Sequence, residues 1–199
     1  MNRLLVICIA AGLIVAAVIG SNYLKATLKP QLPILDTLGG DFSLPSTQKR
    51  TVQLSEFEGK VVLLNFGFTS CPDVCPTVLS KMRALMEMLA EQGNDNQGSR
   101  VQPLFVTIDP DRDSIEKLTE YLPYFHPAII GLRGDKEQLA DVAQLYKVLY
   151  QKEKLDSELD YGFLHSDHIY LIDQQGKVRA MYSNPVKPAT IIEEIKTLL

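Results

Sequence analysis

The chain has 199 residues, 46% hydrophobic and 22% charged, which leaves room for one well-cored domain and a short appendage and excludes two full domains. Its formal net charge is -4 and no dense Lys/Arg run occurs, so the electrostatic footprint of a nucleic-acid binder is missing. The three cysteines, Cys8, Cys71 and Cys75, are too few and too clustered for a secreted disulfide framework, so the Cys71/Cys75 pair needs a chemical explanation.

Met1-Asn2-Arg3 precedes an apolar run from Leu4 to Gly20, close to the roughly 20 residues that span a bilayer as a helix. Residues 1–24 are therefore expected to be an N-terminal membrane anchor, a single transmembrane helix, or a signal sequence. Val18-Ile19-Gly20 before Ser21 would be a tolerable cleavage site, but the lack of an Ala-x-Ala site favours the anchor. Arg3 should stay cytoplasmic by the positive-inside rule. The expected location is the inner (cytoplasmic) membrane, single-pass, with the domain facing the periplasm. Cys8 reads as a small apolar residue within the run. Pro30 and Pro33 mark residues 25–35 as an extended linker, and residues 36–199 as the folded domain.

Within that domain, Phe42-Ser43-Leu44 and Val52-Gln53-Leu54 read as short strands. The run Val61-Val62-Leu63-Leu64-Asn65-Phe66 is apolar and β-branched, as expected of a central strand buried on both faces. Met82, Leu85, Met86 and Leu89 fall at helical spacing, predicting a helix from about Pro76 to Glu91. A second buried strand follows at Leu104 to Ile108, then a capped helix at Ser114 to Tyr121, a strand at Ala128 to Leu132 and a helix at Lys136 to Tyr146. Ile169 to Ile172 and Val178 to Tyr182 form a hairpin around Asp173-Gln174-Gln175-Gly176, and Pro188 to Leu199 a closing helix. The order describes an α/β domain with a mixed sheet flanked by helices on both faces.

The two thiols lie just past the central strand and at the start of a helix. Ligand sites of open α/β sheets occur at the carboxyl ends of strands, and a helix N-terminus favours thiolate over thiol, so both sulfurs are expected to ionise easily. Four-residue spacing brings them to one side of a helical turn, where they can chelate a metal or close a disulfide. Zinc commonly takes four ligands, whereas two thiolates and one imidazole suit three-coordinate Cu(I). Which histidine serves is open on spacing alone. His126 lies in an aromatic turn, His168 at a strand entry, and His165 at the end of an irregular stretch whose residues are free to point into a site.

The segment Gly59 through Pro76, with Asn65-Phe66-Gly67-Phe68-Thr69-Ser70-Cys71-Pro72-Asp73-Val74-Cys75-Pro76, closely resembles the signature of the Sco/SenC family, a Cys-x3-Cys motif after a Phe-Gly-Phe-Thr strand end. Ile108-Asp109-Pro110-Asp111-Arg112-Asp113 matches that family's second motif, and His165-Ser166 with Tyr170-Leu171-Ile172 resembles its histidine segment. The resemblance covers nearly all of residues 36–199. It implies a thioredoxin-like fold, copper held by Cys71, Cys75 and His165, and a metallochaperone that serves the binuclear copper centre of cytochrome c oxidase. The partner would be that oxidase's copper-bearing subunit or another copper chaperone. The family often has Asp before the histidine, where this chain has Leu164, so the surroundings of the imidazole are expected to differ, with His168 nearby and Asp73 a candidate outer partner.

Two other readings compete. A thiol-disulfide oxidoreductase would use Cys71 and Cys75 as a redox-active pair, alone or alongside the copper role, although the usual pair is Cys-x2-Cys and the chain has no Trp. A peroxiredoxin would want Thr or Ser three residues before its cysteine, where this chain has Phe68 or Pro72. Met82 and Met86 read as core residues rather than thioether ligands, and Met88 carries no stronger claim.

Overall fold

A computed structural model describes residues 11–20, 32–92, 97–154, 160–183 and 185–199. The chain divides into two units, residues 1–31 and 32–199. In the first, residues 11–20 are helical. The remainder of the expected anchor, with Arg3 and Cys8, and most of the expected linker lie outside the described residues. Among those residues no helix is long and apolar enough to cross a membrane.

The second unit is built on a five-stranded mixed sheet in the order β5-β4-β3-β8-β9. Strand β3 (Val61–Gly67) is buried at every position. It pairs in parallel with β4 (Val101–Thr107) and antiparallel with β8 (Ile169–Ile172). A strand covered on both faces cannot alternate apolar and polar residues, which is why its sequence reads as a continuous apolar run. Strand β5 (Ile130–Leu132) extends the parallel side, and β9 (Val178–Tyr182) the antiparallel side. The parallel connections carry helix α1 (Val74–Gln92) between β3 and β4, and α2 (Ile115–Tyr121) between β4 and β5. Then α3 (Lys136–Tyr146) leads away from β5, and α4 (Pro188–Leu198) closes the chain. The ends of α2 and α3 are fixed by their own residues: Ser114 accepts from the Lys117 N–H, and Asp135 and Gln138 form a reciprocal capping box.

Alternate residues of β3 and β4 feed two separate cores. Val61, Leu63 and Phe105 pack with α1, α2 and α4 through Met82, Leu85, Leu118 and Ile192. Val62, Leu64, Phe66 and Leu104 pack on the other face with α3 through Leu139, Val142 and Tyr146. Two small hairpins lie outside the sheet, β1 (Ser43–Pro45) with β2 (Thr51–Gln53) and β6 (Tyr150–Lys154) with β7 (Tyr161–His165).

The structure departs from the sequence reading at two places. Leu32 to Leu35, read as the end of the linker, pack on the second unit. The Leu35 N–H donates to the Val178 carbonyl at 2.9 Å, and Arg179, paired with Asp173 at 2.8 Å, donates to the Leu32 and Pro33 carbonyls. The prolines do extend this segment, but the apolar side chains of Leu32 and Leu35 reach the two cores and dock it. The second departure is the β6–β7 hairpin, where the sequence reading placed irregular chain.

A candidate metal centre at the end of the central strand

Strand β3 ends at Gly67, and residues 68–73 turn the chain into α1. The turn is tight against its surroundings. A Cβ at Gly67 would lie 2.9 Å from Phe105 Cε2 and 3.0 Å from Cys75 Sγ, closer than apolar atoms pack. Glycine is what lets the second cysteine settle against the strand end. Cys71 precedes α1, and Cys75 is its second residue, so the Cys75 N–H points back at the Cys71 Sγ, 3.4 Å away. That sulfur takes the place of a capping oxygen at the helix start.

His165 arrives from the opposite direction as the last residue of β7. Its Nε2 lies 3.4 Å from Cys75 Sγ, and its Nδ1 lies 2.8 Å from the Ser166 carbonyl. A carbonyl only accepts, so Nδ1 carries a proton, and Nε2 is the ring atom that faces the sulfurs. Phe68 packs edge-on against the imidazole at 5.7 Å between centroids and against Phe163 at 5.3 Å. The three donor atoms all lie within 4.8 Å of one another. Among the described residues no other trio of His, Cys, Asp and Glu gathers in this way.

The cysteines are unlike each other. Both thiols are free and almost enclosed, Cys71 at 8% exposure and Cys75 at 2%. Cys71 is drawn down to about 4 by hydrogen bonding, first with the Cys75 side chain, then with His165 and the backbone N–H groups of Asp73 and Cys75, against the opposing effect of burial. Cys75 is pushed far up by the same contact with Cys71 and by burial. The expectation that both sulfurs ionise easily is therefore corrected: two thiols in contact cannot both hold charge in an enclosed site, and the pair keeps one proton. A soft cation held by both sulfurs would have to displace that proton.

The remaining candidates are placed apart. His168 gives its backbone carbonyl to the Asn65 amide at 2.9 Å, with its ring 6.0 Å from that of Tyr170. His126 accepts from the Ala128 N–H at 3.2 Å. The Asp73 carboxylate is exposed, and that residue serves Cys71 through its backbone N–H instead. Met82 and Met86 are buried in the core with α4, and Met88 packs at its edge.

What the sequence reading missed is the support beneath the site. Asp113, fully buried, accepts from the Thr69 N–H at 2.9 Å, the Thr69 hydroxyl at 2.5 Å and the Thr107 hydroxyl at 2.7 Å. It thereby ties the cysteine turn to the end of β4. The sequence carried a signal for it in the dense Asp109–Asp113 motif, but nothing local said what those carboxylates hold.

Residues 32–199 match the SCO1/SenC family. The chain is 36% identical over 189 residues to the SCO2-like protein of Rickettsia felis, covering 89% of this chain and 90% of that one. Among solved structures it resembles Arabidopsis thaliana ScoI with copper bound, at 33% identity and a TM-score of 0.73 over 80% of this chain and 96% of that one. It likewise resembles yeast Sco1 with copper bound, at 32% identity and a TM-score of 0.71 over 81% and 87%. The mixed α/β fold is thus the thioredoxin-like fold of Sco proteins, and the chain belongs to the SCO1/SenC family.

Proposed function

We propose that this protein holds one Cu(I) between Cys71, Cys75 and His165 and passes it to the copper-bearing subunit of cytochrome c oxidase during assembly of the binuclear copper centre. The observation that carries the reading is the convergence of two buried thiols and one half-buried imidazole nitrogen within 4.8 Å of one another. Two soft sulfurs and a nitrogen are three donors, the number and softness that suit Cu(I) and too few for structural zinc. The copper-bound state of two similar structures supports the choice of metal. Copper first meets the Cys71 thiolate, which is already ionised; closure then displaces the proton held by Cys75. With both thiolates bound, the site carries a net charge of about -1, which the start of α1 stabilises. An anchor at residues 1–24 would hold the domain at the membrane, where an oxidase subunit is assembled.

Release needs an approach for the acceptor. Leu164, 65% exposed, is the β7 residue before His165, and Leu149, 77% exposed, stands just before β6, where its carbonyl accepts from the N–H of Ser166, the residue after His165. They offer an apolar contact next to the metal donors. The test is transfer: the full chain, loaded with one Cu(I) in mild detergent, is mixed with the metal-free copper-bearing subunit. Copper should appear on the acceptor at a rate that Cys71→Ser and His165→Ala abolish. Retention of copper, or transfer indifferent to His165, would refute the reading.

A second reading draws on the split between the cysteines. A low Cys71 and a high Cys75 are also the arrangement of an attacking thiolate and a resolving thiol. In that role Cys71 attacks a target disulfide, Cys75 then displaces the target thiol, and the pair ends oxidised while the target gains two electrons. His165 has no necessary part in those steps, so its replacement separates the two readings.

A further inference from the structure

The β6–β7 hairpin that brings His165 to the cysteines does not belong to the central sheet. Its outer strand β6 is mostly exposed, and β7 is only partly buried. Something outside the hairpin must set where its last residue falls. Resting on the copper reading, we propose that Arg112 is a positioning residue that registers His165 against Cys71 and Cys75.

Arg112 Nη1 donates to the Tyr161 carbonyl at 2.9 Å, and its guanidinium carbon lies over the Tyr161 ring, 3.6 Å from the centroid. Its Nε donates to Asp109 at 2.5 Å, and the Tyr161 hydroxyl donates to the other oxygen of the same carboxylate at 2.8 Å. Strand β7 is therefore gripped at its first residue by backbone, ring face and hydroxyl together. The next residue along, Asp113, grips the cysteine turn through Thr69. One short turn after β4 thus fixes both halves of the donor set.

The lever is short and stiff. Tyr161 and His165 are four residues apart, about 13 Å along an extended strand, and Tyr161, Phe163 and His165 share one face. A slip of a single residue would turn the imidazole outward. A planar guanidinium can bond two oxygens and stack on a ring at once, which an ammonium cannot. Arg112→Lys should therefore fail to rescue the function while preserving the charge.

The test uses the full chain in mild detergent with Arg112→Ala and Arg112→Lys, both checked for folding by urea denaturation. In metal-free protein, hydrogen exchange of the β7 amides should quicken about tenfold in both variants, with β3 and β4 amides unchanged. Cu(I) affinity should fall about 10- to 100-fold, as for other residues that orient a ligand. The same change in the His165→Ala background should cost less than about twofold. Unchanged β7 exchange, or an equal loss of affinity in both backgrounds, would overturn the proposal. If the unaltered chain binds no copper, the copper reading fails by itself, and β7 exchange still decides the role of Arg112.

Discussion

Gly67→Ala adds one methyl group at the end of β3. A built Cβ stands 2.9 Å from Phe105 Cε2 and 3.0 Å from Cys75 Sγ, where carbon atoms pack comfortably at about 3.5 to 4.0 Å. The overlap with the ring is therefore about 0.6 to 1.1 Å. Phe105 is fully buried in the core between β3, β4 and α1 and has little room to withdraw, so Cys75 must share the displacement. Gly67 has no positive φ, so backbone strain is not a competing effect. Overpacking of this kind costs about 1 to 3 kcal/mol of stability. The effect on copper should be larger in proportion, because metal–ligand distances tolerate only about ±0.2 Å. Urea denaturation gives the first quantity, and competition for Cu(I) against a calibrated chelator gives the second. A chain that keeps its stability and affinity after Gly67→Ala would refute the claim that the strand end positions Cys75.

Thiolate absorbance of a Cys8→Ala chain should show one thiolate forming with an apparent midpoint near the value of about 4 assigned to Cys71, and the second thiol still protonated at neutral pH. The linkage follows in sign: the folded Cys71 midpoint lies below its ordinary value of 9.0, so the thiolate favours folding above pH 9, and this contribution fades as pH falls toward 4. Cys75, raised, acts oppositely above pH 9. The stability difference between the unaltered chain and Cys71→Ser should accordingly shrink on acidification through that window. Asp113→Ala strands the Thr69 N–H and two hydroxyl donors in a buried site, which should cost about 3 kcal/mol and lower the melting temperature by roughly 6 to 12 °C. Met82→Leu, a volume-conserving change in a sealed core position, should cost less than about 1.5 kcal/mol and leave Cu(I) affinity unaltered. Any marked loss of copper there would reinstate a thioether ligand.

The features legible from sequence were those written in local periodicity. The Val61–Phe66 run announced β3 because a strand covered on both faces must be apolar throughout, and the spacing of Met82, Leu85, Met86 and Leu89 announced the buried face of α1. The cysteine pair was legible as chemistry because it follows that strand directly. The β6–β7 hairpin was not read because Lys152-Glu153-Lys154 and Gly162 weaken a strand pattern. The alternation of Tyr161, Phe163 and His165 was the available signal, and it also indicates that the three side chains share a face. The unequal acidity of the two cysteines could not be seen either, since spacing says that thiols converge and not which of them keeps the proton. Nor could the grip of Arg112 on Tyr161, a contact across 49 residues that no local pattern encodes.

The central claim is that Cys71, Cys75 and His165 together hold one copper. The direct measurement is an anaerobic Cu(I) titration of the reduced full chain in detergent beside Cys71→Ala, Cys75→Ala, His165→Ala and His168→Ala. One tightly bound copper, weakened by the first three changes and indifferent to the fourth, is the predicted result. Weak binding, or binding that does not depend on His165, would contradict the account and leave the cysteines as a redox pair.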